Sequence, residues 1–313
     1  MRKAILFLLL LVVDGGSSAK AKLLPKEGGS ALSATVEIAK WRHGCQYAVS
    51  LTFDDGLQEH YTEVFPRLRE QNLQGTFWLI GSAINNGSFK QWNTVSWEQA
   101  KEMADSGMEM SNHGFNHRSV SKLTPEEVVE QARLNDDVIE RYTGLRPTTF
   151  CFPGNQKTEI ADSLLSVGRV GLRTFQTSWG GKRISTAKND LIGYFKEAVK
   201  SNDWFVTMTH GISYGYDNCA EDTAQLWNFF RFLNDNRQLY WTATFHDVAV
   251  YSKVRDNTTL LVKRKRGRLH IRCSCPLNEK LYATMLTLIV KTANGDTKFV
   301  DVNPFGGEVV IDY

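Results

Sequence analysis

The sequence predicts an α/β fold: seven strand-helix units whose strands form one parallel sheet, rolled as in a closed barrel, followed over residues 255–313 by a small β-sandwich. Three observations predict it. Short apolar, β-branched runs alternate with helical patterns from Ala48 to about Tyr251. Residues capable of chemistry gather where those runs end, which in a parallel barrel is one common face. Beyond Thr258 the period becomes two: Leu269, Ile271 and Cys273 alternate with Arg268, His270 and Arg272, and Asn294-Gly295 marks a tight hairpin.

The first strand lies in Ala48-Val-Ser-Leu-Thr-Phe-Asp-Asp-Gly56, an apolar run that ends abruptly in two carboxylates and a glycine. Tyr61, Val64, Phe65, Leu68 and Leu73 then recur at helical spacings among Glu and Arg. Residues 76–80 are the second strand. A helix over 96–105 has Ser96 as N-cap and Gly107 as its stop. The third strand, 108–110, runs into Ser111-Asn-His-Gly-Phe-Asn-His117. Thr124-Pro-Glu-Glu127 combines an N-cap, an N1 proline and a capping-box glutamate, so a longer helix starts there and ends near Tyr142, before Gly144. Strands over 148–152, 170–175, 205–209 and 240–244, with helices over 159–165, 191–200 and 224–234, complete the series. No long-period repeat or low-complexity segment interrupts it.

The 313 residues suffice for one large domain plus an appendage, and the 42% hydrophobic content is that of a water-soluble globular chain. Met1-Arg-Lys3, the apolar run 4–13 and the small residues up to Ala21 have the three regions of a secretory signal peptide. That apolar run is too short to span a bilayer. The expected mature protein is therefore exported, periplasmic or extracellular, cut near Ala21 and not inserted in the membrane; an uncleaved anchor is the alternative. Residues 22–44 are expected to form an arm that wraps onto the domain. Loss of residues 1–21 removes Arg2, Lys3, Lys20 and Asp14, taking the formal charge from +3 to +1. Such a balance points to no nucleic-acid partner. The basic cluster 263–266 with Arg268 falls in a hairpin-like stretch, as a solvated turn or a polyanion site. Five scattered cysteines, Cys45, Cys151, Cys219, Cys273 and Cys275, make neither a zinc pattern nor a disulfide framework.

Consecutive residues on a strand point to opposite sides, so Asp54 and Asp55 are expected to reach different partners, one a metal and the other a proton. An isolated Asp-Asp-Gly is also an ordinary turn. His113 and His117 stand four apart after the third strand and can present two imidazoles to one ion. Aspartate plus two histidines leaves open positions on that ion, as catalysis requires. Thr207-Met-Thr-His210 brings another histidine to the same face, where it is either a candidate proton donor or a satisfied strand-end residue.

Thr52-Phe-Asp-Asp-Gly56, Ser111-Asn-His-Gly-Phe-Asn-His117, Phe152-Pro-Gly154 and Thr209-His-Gly211 resemble, in order and spacing, the motifs of polysaccharide deacetylases, the NodB-homology or carbohydrate esterase family 4 proteins. The resemblance covers roughly residues 45–250 and rests mainly on the first two motifs. It implies a distorted (β/α)7 barrel, here a catalytic domain over 45–254, that removes acetyl groups from an acetylated glycan with one divalent metal ion, commonly zinc. It also implies Asp54 as base, Asp55, His113 and His117 as metal ligands, His210 as acid, and a backbone N–H near Gly154 for the oxyanion. Release of an amine from N-acetylated sugars is the expected reaction, with ester cleavage or a carbohydrate-binding protein with an impaired site as alternatives.

The third motif departs from the family. Many members have Arg-Pro-Pro-Tyr where this chain has Cys151-Phe-Pro-Gly154, so the arginine that pairs with the base is missing. Arg173, one strand further round, can supply a guanidinium to Asp54 or can be a barrel-end arginine. Trp179 is a candidate for the acetyl or sugar pocket, or an ordinary core tryptophan.

Overall fold

The computed structural model describes residues 22–23, 34–180, 190–219, 223–292 and 294–312. The predicted leader and residues 24–33 of the predicted arm lie outside them. In chain order, β1 (Lys22–Leu23) and β2 (Thr35–Ile38) precede β3 (Tyr47–Asp54), a π-helical turn (His60–Val64), α1 (Phe65–Glu70) and β4 (Gly75–Leu79). Next come α2 (Gly81–Asn86), the hairpin of β5 (Ser88–Phe89) and β6 (Trp92–Asn93), α3 (Trp97–Asp105), β7 (Glu109–Asn112) and α4 (Pro125–Thr143). They are followed by β8 (Thr149–Cys151), α5 (Glu159–Ser166), β9 (Gly171–Arg173), β10 (Thr177–Trp179), α6 (Leu191–Ser201) and β11 (Trp204–Thr209). After α7 (Thr223–Asp235), β12 (Tyr240–Thr242) and α8 (Phe245–Asn257), the chain ends in β13 (Thr259–Lys265), β14 (Arg268–Ser274), α9 (Glu279–Tyr282), β15 (Leu286–Lys291), β16 (Thr297–Val302) and β17 (Glu308–Asp312).

The predicted caps form. Ser96 and Gln99 close a capping box on α3, Thr124 and Glu127 another on α4, and Gly144 ends α4 in the left-handed region at φ 81°. The main sheet is parallel and has 8 strands, in the order β10-β11-β3-β4-β7-β8-β9, with β12 on β3. β12 lies beside the first half of β3, Tyr240 opposite Tyr47, and β4 beside the second, Leu51 opposite Gly75. The α/β fold with a distorted barrel of parallel strands is what the chain adopts. Its distortion is a gap: no ladder joins β9 to β10 among the described residues. A parallel pair needs a crossover of about a dozen residues, and the link between Arg173 and Thr177 is far shorter.

Alternation along the strands divides the barrel. Leu51 and Phe53 face outward into a cluster with Phe65, Leu68, Phe77 and Leu79. The inward positions are largely polar: Ser50, Thr52 and Asp54 on β3, Thr76 and Trp78 on β4, Ser111 on β7, Arg173 on β9, each buried. At the bottom, Glu109 accepts from Thr76 Oγ1 (2.8 Å), from the backbone N of His246 (2.9 Å) and from Thr149 Oγ1. The polar top is where the motifs end.

The C-terminal strands form two sheets, β1-β13-β14-β17 and β16-β15-β2. Their buried residues, among them Val36, Leu260, Leu269, Ile271, Leu288 and Val290, share one cluster with Val248, Tyr251 and Val254 of α8. The N-terminal segment is therefore no mere wrapping arm: β2 is antiparallel to β15, Val36 opposite Val290, and β1 pairs with β13. The basic stretch 263–266 lies on β13 and its turn, largely exposed. Cys45, Cys151, Cys273 and Cys275 are free thiols, and among the described residues no helix is long and apolar enough to cross a membrane.

Candidate active site

Asp54 ends β3 facing inward and is 2% exposed. The two aspartates have different nearest partners, Arg173 for Asp54 and His113 with His117 for Asp55, but not by strand alternation. Asp55 has φ 77° and Gly56 φ 67°, so the chain leaves the extended conformation at Asp55, whose backbone N donates to Trp78 O at 2.9 Å. Both carboxylates consequently reach one imidazole: His113 Nε2 is 3.9 Å from Asp54 Oδ2 and 3.3 Å from Asp55 Oδ1. Left-handed backbone at a non-glycine residue costs about 1–3 kcal/mol and is characteristic of functional sites.

The histidine loop is pinned by α4. Asn112 donates to Ala132 O (2.7 Å) and to Asp136 Oδ1 (2.6 Å), and its Oδ1 accepts from Gly114 N (2.8 Å) and Asn135 Nδ2 (2.9 Å). Asn135 also donates to Leu79 O and accepts from Gly81 N, each at 2.8 Å. His113 Nδ1 lies 2.9 Å from Cys151 O. A carbonyl only accepts, so Nδ1 carries the proton and Nε2 faces Asp55. His117, at φ 51°, brings its Nε2 to 3.4 Å from the same Asp55 Oδ1.

Ligand atoms of Asp55, His113 and His117 lie within 4.8 Å of one another. Asp55 Oδ1 is buried without a hydrogen-bond partner among the described residues, an orphan that a cation would satisfy. Burial and the neighbouring His113 push His117 down to about 4, leaving its ring neutral with a lone pair to give. Burial disfavours a charged His113 as well, but Cys151 and the Asp55 carboxylate outweigh it and hold this ring well above the ordinary imidazole value. A cation would compete with that proton for Nε2. Donor types, orphaned oxygen and open positions all fit a divalent ion.

Arg173 crosses the barrel to Asp54. Its Nη1 and Nη2 donate to Asp54 Oδ1 and Oδ2 at 2.6 and 2.5 Å, and Nη1 also donates to Thr52 Oγ1 at 2.7 Å. The guanidinium, fully buried, lies 5.5 Å from the centre of the Trp78 ring. Burial alone would raise the Asp54 carboxyl, yet the Arg173 charge and hydrogen bonds hold it down at about 2. Cys151 has its Sγ 4.0 Å from Asp54 Oδ2. His210 follows β11 with its Nε2 3.8 Å from Asp55 Oδ2, and the Tyr216 ring lies 5.0 Å from its own.

Residues 42–174 match the family model described as polysaccharide deacetylase. Over that stretch the chain is similar to polysaccharide deacetylases. It is 27% identical over 125 residues to YxkH of Bacillus subtilis, covering 39% of this chain and 41% of that one. It is 29% identical over 104 residues to the peptidoglycan-N-acetylmuramic acid deacetylase PdaC of the same organism, covering 33% and 20%. The matches thus span less than half the length of these curated relatives. Among solved structures, a mutant of a family 4 pseudoenzyme from Bacillus anthracis, with restored enzymatic activity, superposes with a TM-score of 0.50 at 17% identity, covering 65% of this chain and 68% of that one. That likeness concerns the fold alone.

Measured against the deacetylase motifs, two named residues stand apart from the cluster. Trp179 is not at the site: it is 3% exposed in the outer core, its ring 5.0 Å from Phe229 and 5.9 Å from Phe205. Gly154, at φ 64°, lies on the rim, in a cleft of about 440 Å³ with His117, Arg118, Lys122 and Pro153. Several neighbours were not legible as site residues. Phe89, from the short β5-β6 hairpin, sets its ring 5.1 Å from His117, and Lys90 Nζ sits 3.6 Å from the centre of Tyr216. His60 Nε2 is 2.8 Å from His210 O. The one signal for His60 was its place in the helical turn after Asp54-Asp55.

Proposed function

We propose that residues 45–254 form a metal-dependent deacetylase of N-acetylated polysaccharide or oligosaccharide, with residues 255–313 as an accompanying β-sandwich. The observation that carries this reading is the Arg173-held Asp54 carboxylate beside the Asp55–His113–His117 cluster, with His210 opposite. The three clustered residues would hold the divalent ion, zinc being the first candidate. When bound, such an ion polarises an acetyl carbonyl and makes water a better nucleophile near neutral pH.

The protein's own groups do the rest. Asp54, ionised and oriented by Arg173, takes the proton of the attacking water. Asp55 keeps its charge: burial would raise its pKa, but His113, His117 and His210 lower it. His210 would give a proton to the departing nitrogen or oxygen, and a backbone N–H near Gly154, on the rim beside His117, is the candidate donor to the oxyanion. No residue need form a covalent intermediate. Relatives named as peptidoglycan deacetylases, PdaC and the Listeria monocytogenes PgdA, favour an amide substrate. The exported location expected from the leader agrees with a glycan outside the cell.

The test is acetate release from N-acetylated and O-acetylated glycans, with and without chelator. Chelator-sensitive release from N-acetylated sugar is expected. Release from esters alone would assign O-deacetylation, and glycan binding without release would assign an impaired site.

A further inference from the structure

Glu59 is a buried carboxylate that the deacetylation scheme leaves unused. It is 1% exposed, and among the described residues no Lys or Arg pairs with it. Its Oε2 accepts from the backbone N of Ile212 (2.9 Å), Ser213 and Tyr214 (3.0 Å), and its Oε1 from Gly215 N (2.5 Å). Four consecutive amides thus converge on one side chain as a nest converges on a bound anion. The next residue grips the same loop, His60 Nε2 lying 2.8 Å from His210 O. Burial drives the His60 imidazole down to about 4, so it stays neutral.

The fit leaves no slack. A Cβ on Gly215 would come within 2.5 Å of Glu59 Oε1 and 2.7 Å of Gly211 Cα, so only glycine admits the carboxylate. Gly211 N donates to Tyr216 O at 3.0 Å, closing the loop on itself. The loop carries His210 at one end and, against its ring, Tyr216 at the other. Glu59 and His60 stand just beyond Asp54-Asp55-Gly56, where the chain enters a π-helical turn, a distortion common at functional sites.

We infer that Glu59 is a positioning residue: its carboxylate serves as a built-in anion that folds the 210–216 loop and sets the His210 imidazole at the reacting centre, so that one turn supplies base, metal ligand and the mount for the acid. This rests on the proposed role of His210 as proton donor. Glu59 touches no substrate. Replacing it by glutamine removes the charge and sets an NH2 group against an amide that needs an acceptor.

The test compares wild type, Glu59→Gln, His210→Ala and the double variant, all as the metal-loaded full chain. The substrates are an N-acetylglucosamine oligomer, whose amine must be protonated, and 4-nitrophenyl acetate, whose leaving group needs no proton. Glu59→Gln is expected to lower kcat on the oligomer about ten-fold with KM nearly unchanged, to spare the ester, and to add nothing to His210→Ala. Equal losses on both substrates, or losses that multiply in the double variant, overturn it. Should His210→Ala itself fail to distinguish the substrates, the donor role falls, and non-additivity alone then decides on Glu59. Hydrogen exchange of the 212–215 amides reads the clamp without turnover: faster exchange there is expected in Glu59→Gln, and unchanged protection refutes it. Glu59→Asp carries the same comparisons if the glutamine variant does not fold.

Discussion

Arg173 and Asp54 are joined by two hydrogen bonds of 2.6 and 2.5 Å although three strands, β4, β7 and β8, separate their own in the sheet. The contact runs across the barrel interior, over Trp78 and beside Thr52. The guanidinium that holds Asp54 is thus delivered from β9, while Cys151 of β8 supplies no positive charge there.

Arg173→Met should expose that dependence in the pH profile. With Arg173 the Asp54 carboxyl titrates at about 2, below its ordinary value, so the pair's contribution to stability is complete above the unfolded pKa and is lost as pH falls toward 2. Without the cation the carboxyl is easier to protonate. The acidic limb of kcat/KM is expected to move to higher pH, and urea denaturation to show a loss of about 3 kcal/mol, the usual cost of breaking a buried pair. A limb that stays in place would detach Arg173 from the base.

The adjacent aspartates should separate by metal content. Asp54→Asn is expected to retain the ion and to lose activity by about 100-fold or more, because it removes a base and no ligand. Asp55→Asn is expected to bind metal weakly. Elemental analysis of both purified variants beside acetate release checks this, and equal metal loss contradicts it.

Metal should also stabilise the fold through its three ligands. At a concentration 100 times its Kd an ion binding only the native state adds about 2.7 kcal/mol. A zinc-dependent rise in melting temperature is therefore expected for the wild type and not for His113→Ala or His117→Ala. Calorimetric scans with and without zinc measure it.

Asn135→Ala tests the frame under the histidines. It deprives Gly81 N–H of its buried acceptor, removes one of the two donors to Leu79 C=O, which keeps His113 N, and unties Asn112. A loss of about 1–3 kcal/mol is expected from the orphaned amide. Weaker metal affinity should accompany it, since the Asn112–Gly114 turn holds His113.

The strands, the capped helices and the gathering of Asp55, His113 and His117 were legible because they depend on local patterns: β-branched runs, Ser96 and Thr124 as caps, histidines four apart. Barrel order made Arg173 a candidate for Asp54. What escaped depends on backbone angles or distant partners. Nothing in Asp54-Asp55 announces the positive φ that turns both carboxylates to one side. Trp179 looks alike in sequence whether it meets sugar or Phe229. Glu59 reads as one more surface acid of a helical segment, because the four amides it holds lie some 150 positions further on.

The pairing of β2 with β15 gives the chain a timetable. On the ribosome a barrel segment can fold once its strands have emerged, domains generally forming from the N-terminal side first. β2, made near the beginning, has no partner until residues 288–291 appear, and the contact Val36–Val290 is among the most distant in the chain. Until those residues emerge, Val36 and the rest of β2 lack their strand partner. Truncation of the last strands would therefore unseat the first.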